Sequence, residues 1–178
     1  HSDIVELLLV HGNADVNLAE TKGGCSPLFI AAQEGHLAIV KLLIHAHANV
    51  NQARHTDGVT ALYMAALKGQ LDIVKLLIHA HANVDQARTP DGYTPLFMAA
   101  VKDHLDIVKL LIHAHANVNQ ARTTDGFFPL IMATQKGHLA IVKLLIKQGH
   151  ANVNQTNFIG ASPLHTATLR GHRSIVTY

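Results

Sequence analysis

Apolar residues along this chain alternate between two patterns. In Leu71-Asp-Ile-Val-Lys-Leu-Leu-Ile-His79, residues Leu71, Val74, Leu77 and Ile78 recur at helical spacing, which predicts a helix with one apolar face. A shorter apolar segment precedes it, Thr60-Ala-Leu-Tyr-Met-Ala-Ala-Leu-Lys68, closed by Gly69. Ser26, Thr60, Thr94 and Ser162 are suitable N-caps for such short helices. Pro27, Pro95 and Pro163 follow at the first helical position, where a missing N–H costs nothing. Gly35, Gly69, Gly137 and Gly171 supply the turn between the two helices, and Asp103 stands in that place in another copy. After the second helix come an extended stretch, Val84-Asp-Gln-Ala-Arg88, and a turn ending Asp91-Gly92. The pattern predicts a unit of two helices and a loop.

The unit repeats. Pro27, Ala61, Pro95, Pro129 and Pro163 are 34 residues apart, and the second-helix run recurs at 37–44, 71–78, 105–112 and 139–146. Val16, Val50, Val84, Val118 and Val153 keep the same step until the last, which is 35. The chain therefore divides as one array over 1–178, with a partial unit at 1–19, full units at about 20–53, 54–87, 88–121 and 122–156, and a partial unit at 157–178. It starts inside a second helix and stops before the next is complete, without the polar capping helix a free solenoid needs. The expectation is a monomeric fragment of a longer chain.

Asp91-Gly-Tyr-Thr-Pro-Leu-Phe-Met-Ala-Ala100 and Gly35-His-Leu-Ala-Ile-Val-Lys-Leu-Leu43 resemble the two helix motifs of the ankyrin repeat family, and the resemblance covers the whole chain. Tetratricopeptide repeats share the 34-residue period, but they use large aromatics within the helices and a late Pro, whereas here Trp is absent and Pro opens the first helix. The resemblance implies an all-α solenoid of stacked helix-turn-helix units with β-hairpin-like finger loops. It also implies non-catalytic binding of a protein or peptide at the concave face made by finger tips and first helices. The residue in excess of the family's usual 33 falls in the loop, where it costs little.

Several positions depart from the family. Its first-helix His survives only at His165; Phe29, Tyr63, Phe97 and Ile131 replace it. Loss of that polar link costs about 1 kcal/mol, offset by apolar burial. His47, His81 and His115 stand where a left-handed Gly is expected. The outer units read Val10-His-Gly-Asn13 and Lys147-Gln-Gly-His150, each with a Gly and one extra residue. Phe127-Phe128-Pro129 puts Phe in place of the capping Thr, a loss of about 0.5–2 kcal/mol. Such a Phe serves either as an exposed contact or as packing against the next finger.

The units also vary among themselves. Residues 71–84 and 105–118 are identical, whereas the fingers and first helices differ. Stacking demands the same residue in each copy, and positions free of that demand can change. The candidate partner-binding residues are Arg54, Val59, Tyr63, Lys68, Arg88, Tyr93, Phe97, Lys102, Arg122, Phe127 and Lys136. An apolar column beside a row of cations suits a partner with apolar anchors and an acidic rim. The Lys row reads equally as a solvated face, and each finger Arg can pair with Asp57, Asp91 or Asp125 for at most about 1 kcal/mol in water.

Composition narrows the chemistry. The fraction of hydrophobic residues, 48%, with 15% charged, argues against disorder, and the formal charge of +2 calls for no polyanion. Cys25 is single, so no internal disulfide forms; with no signal peptide visible, an intracellular location is expected. No apolar run is long enough to span a membrane. Phosphate-binding Gly loops, nucleophile–base pairs and His-Glu-x-x-His are absent, so no enzyme and no cofactor are expected. Without an aromatic stacking platform the basic columns do not favour nucleic acid. His45/His47, His79/His81 and His113/His115 form a repeated His-Ala-His, but no Cys or acid accompanies them to complete a zinc set, and a helix-end and cap role is preferred. A structural spacer and a His-mediated metal- or pH-responsive module are the rival functions. Phe128, Asp103 and His150, as irregularities, favour natural duplication over an engineered array.

The chain carries 15 His, and imidazoles ordinarily titrate near ~6.5, so its positive charge grows steeply in mild acid. Rows of like charge should then loosen the array. The melting temperature is expected to fall between pH ~7.5 and ~5; a flat profile would contradict this.

Overall fold

The computed structural model describes residues 2–177. These form eleven helices: α1 (Ser2–Val10), α2 (Pro27–Glu34), α3 (Leu37–His45), α4 (Ala61–Lys68), α5 (Leu71–His79), α6 (Pro95–Val101), α7 (Leu105–His113), α8 (Pro129–Lys136), α9 (Leu139–Lys147), α10 (Pro163–Arg170) and α11 (Arg173–Val176). Each first helix packs against the next, in the order α2, α4, α6, α8, α10, and against its own second helix. The second helices form a parallel row, α1, α3, α5, α7, α9, α11. No strand occurs among the described residues, so the array is all-α, with fingers that turn without forming strands.

The core lies between the two rows. Leu62, Leu96 and Leu130 of the first helices meet Val74, Val108 and Val142 of the second, all essentially inaccessible. Ala32, Ala66 and Ala100 keep one small residue at the same place in successive first helices, which lets them approach closely. Thr134 breaks this column: it is fully buried, and its hydroxyl has no hydrogen-bond partner.

The caps form as the sequence predicts. The side chains of Ser26, Thr60, Thr94 and Ser162 accept from the backbone N–H of Phe29, Tyr63, Phe97 and His165. Phe128 makes no side-chain cap and is wholly buried, which selects its packing role over exposure. The lost cap bond is exchanged for a large apolar side chain in the core.

After each second helix of the inner units the chain turns left-handed at His47, His81 and His115, with φ of 61–62°. In the outer units the left-handed residues are Asn13 and His150, not the neighbouring glycines. Gly149 is needed for closeness instead: a Cβ there would lie 2.8 Å from the Leu145 carbonyl oxygen and 2.9 Å from Val118 Cγ1. The extra residue thus moves the turn one place along the chain.

Two ladders tie neighbouring units together. Asn17, Asn51, Asp85 and Asn119 each accept, through Oδ1, the backbone N–H of Asn49, Asn83, Asn117 or Asn152 at 2.7–2.9 Å. On the other side, His104, His138 and His172 place Nε2 3.2–3.3 Å from the carbonyls of Leu67, Val101 and Gln135 in the preceding first helix. A carbonyl only accepts, so each Nε2 carries the proton.

Thr134→Val, which keeps the volume and removes the orphan hydroxyl, should raise stability by about 1 kcal/mol in urea unfolding. His81→Gly should add about 0.5–1 kcal/mol by relieving a left-handed non-glycine. A loss of stability in either variant would contradict the packing just described.

Candidate partner-binding face

Each finger is a tight turn hung on the one before it. In the finger at 54–59 the N–H of Arg54 donates to the Val59 carbonyl and that of Gly58 to the Arg54 carbonyl, both at 2.8 Å. Gly58 has φ 73°, a conformation its missing Cβ permits. The next finger attaches through Thr89 N–H to the Asp57 carbonyl at 2.8 Å, and the pattern continues from Thr123 to Asp91 and from Phe158 to Asp125.

Within each finger an Arg closes on an Asp three residues later. Arg54 donates from Nε and Nη2 to the two Asp57 oxygens at 2.9 and 2.6 Å, a bidentate fork. Arg88 with Asp91 and Arg122 with Asp125 repeat it. The same carboxylates accept backbone N–H groups of Val59 and Phe127. The Arg54 guanidinium holds the Asp57 carboxyl below the usual carboxylate range, and Arg88 does so for Asp91.

The guanidinium planes also lie over aromatic rings. Arg54 sits 4.9 Å from the Phe29 ring centre, and Arg88 4.8 Å from that of Tyr93. Arg122 lies over Tyr93, Phe97 and Phe127 at 4.7, 5.6 and 5.6 Å, and hydrogen-bonds the Tyr93 hydroxyl. Tyr93 meets Phe97 edge-on at 5.0 Å. These contacts explain two of the three aromatic residues at the family's His position: the Arg of the following finger stacks on Phe29 and on Phe97. Where the following finger carries Asn157 in place of Arg, the first-helix residue is Ile131. Asn157 keeps only the turn, accepting the N–H groups of Ile159 and Ala161.

This geometry sorts the sequence candidates. Val59, Tyr63 and Phe97 are 2%, 3% and 1% exposed, so their expected place on the contact surface is corrected: they form its foundation. Val59 and Tyr63, with Cys25, Phe29 and Met64, make a small apolar cluster separate from the main core. Burial pushes the Tyr63 phenol up to about 12 and raises the Cys25 thiol as well. Arg54, Arg88, Arg122, Tyr93 and Phe127 are partly buried and already engaged, Arg54 with Asp57 and Phe29 and the other four with one another. Lys68, Lys102 and Lys136 are exposed at the ends of α4, α6 and α8, and Arg170 continues the row at the end of α10. On the opposite side, His45, His79 and His113 end the second helices, and His47, His81 and His115 form the turns, all exposed. Among the described residues no group of three or more His, Cys, Asp or Glu is placed to hold a metal ion.

One exposed feature escaped the sequence reading. Phe158 and Ile159, the latter 87% exposed, form the tip of the last finger, where the others carry His55-Thr56, Thr89-Pro90 and Thr123-Thr124. An apolar pair at a turn position was the available signal.

The carboxylate shifts set a pH dependence. A carboxyl depressed in the folded state adds stability above its ordinary pKa, lost as pH falls through the folded value. Asp91→Asn should therefore destabilise by up to about 1 kcal/mol near neutrality, and the difference should close in acid, below the ordinary carboxylate range. Urea midpoints at both pH values check this; a gap unchanged in acid would show that the ion pair contributes nothing.

The family described as ankyrin repeats (3 copies) matches residues 1–54, 49–122 and 118–178. No curated protein sequence matches the chain. Ankyrin repeats are in general protein–protein interaction modules and typically non-catalytic. With capped first helices, left-handed turns and hung fingers repeated along its length, and with that match from end to end, this chain belongs to the ankyrin-repeat family.

Proposed function

We propose that the chain is a non-catalytic scaffold that binds a partner protein or peptide through the face made by its first helices and finger tips. One observation carries this reading. The cations on this face divide into two sets, one used internally and one unused. Arg54, Arg88 and Arg122 are held by carboxylates and rings, and they order the surface. Lys68, Lys102, Lys136 and Arg170 stand beside them, exposed. A rigid platform carrying free charge over half-buried Tyr93 and Phe127 is the arrangement a specific interface uses, with apolar anchors centrally and charge at the rim. On the second helices, among the described residues, no guanidinium–ring pairs order the surface, and Lys75 on α5 is bonded to Asp72 at 3.0 Å.

A random peptide library selected on the intact chain tests the reading. Bound peptides should slow amide exchange in α4, α6, α8 and the fingers. Lys102→Glu/Lys136→Glu should weaken them at least about tenfold at an unchanged melting temperature. Protection confined to the second helices, with capture unaffected by the double variant, would remove this face from the function.

A further inference from the structure

The free cations have a spacing, and the spacing selects a partner. Lys68, Lys102, Lys136 and Arg170 occupy equivalent repeat positions at the C-terminal ends of consecutive stacked helices α4, α6, α8 and α10, Lys102 as the residue that caps α6. Stacked helices lie about 8–10 Å apart, so the row presents one cation about every 10 Å. A helix laid along it advances about 10.5 Å in seven residues and returns to nearly the same face. An extended β-strand does not fit: three residues cover about 10 Å, but side chains three apart point to opposite sides.

Sign and polarity follow from the neighbours. Glu34 fills the equivalent position in α2 and accepts from Gln33 Nε2 at 2.9 Å, so the column runs from one anion to four cations. Asp103, next to Lys102, is the other exposed acid along the row, and it faces His138 Nδ1 at 3.5 Å. The residue before each cation is Leu67, Val101, Gln135 or Leu169, three of them apolar, with Leu169 largely exposed. An apolar stripe beside a line of positive charge complements an amphipathic helix with acids flanking its apolar stripe.

Resting on the binding face proposed above, we infer that its partner is an acidic amphipathic helix with a carboxylate on one face about every seven residues, aligned along Lys68, Lys102, Lys136 and Arg170. The pairs are solvent-exposed and screened beyond about 8 Å at physiological salt, so they select register and partner and speed encounter, while the apolar stripe holds the complex.

The probe is a synthetic helical peptide of about 29 residues with Lys at its first position, Glu at each following seventh and Leu one turn away. Controls are the same composition with the Glu positions scrambled, the same peptide with Lys for Glu, a Pro-rich peptide with Glu at every third residue, and a duplex oligonucleotide. Fluorescence anisotropy at ~50 mM salt should show the heptad peptide binding at least about tenfold tighter than every control, with affinity falling steeply by ~300 mM. Lys68→Gln/Lys102→Gln/Lys136→Gln should lose that preference while melting normally. Lys68→Glu/Lys102→Glu/Lys136→Glu should instead prefer the Lys peptide, a reversal that general weakening of the fold cannot produce. Equal binding of heptad and scrambled peptides, tighter binding of the Pro-rich peptide, or equal binding of the oligonucleotide would each overturn the inference. Library peptides protecting the first-helix face without this acidic spacing would sink the inference and leave the binding face standing.

Discussion

No helix pair in this chain can bury its apolar side alone. A pair such as α6 and α7 presents leucines, valines and alanines toward both neighbours, and only the next pair covers them. The constraint is translational: whatever fills the junction once must fill it again about 10 Å further on. This is why 71–84 and 105–118 coincide in every letter, and why Ala32, Ala66 and Ala100 recur where two first helices touch. Thr134 is costly for the same reason, since the column has no place for a hydroxyl.

Once packing fixes the pitch, polar groups on the sides inherit it. The Asn ladder along one edge and the His-to-carbonyl contacts along the other repeat in step with the core, each satisfying a backbone group that stacking would otherwise leave without a partner. The fingers gain a third ladder, backbone to backbone, and a fourth in which guanidinium groups lie between a carboxylate and an aromatic ring. These contacts immobilise loops that would otherwise be the mobile part of each unit. A surface so ordered can present lysines at fixed separations, although the lysines contribute nothing to holding it together.

The departures from the family pattern compensate one another. Losing the first-helix His removes a local hydrogen bond, but Phe29 and Phe97 provide a ring for an Arg in the next finger. The one first helix whose following finger lacks Arg carries Ile131. His at the left-handed turn costs more than Gly would, and nothing among the described residues explains that choice at His47, His81 or His115.

The sequence by itself determined the repeat period, both helices of each unit, their caps and turns, and the core columns, because these depend on local conformation and on a periodicity that copies itself. It marked the binding columns only as sets of varying positions. Whether Val59, Tyr63 and Phe97 face solvent, whether Phe128 is a contact or a core residue, and which cations are spent depend on residues about 30 positions away meeting across a junction. Composition and spacing do not record that geometry. Arg122 and Lys136 look alike as letters in a basic column; the stacked fingers bury the first among Tyr93, Phe97 and Asp125 and leave the second in water.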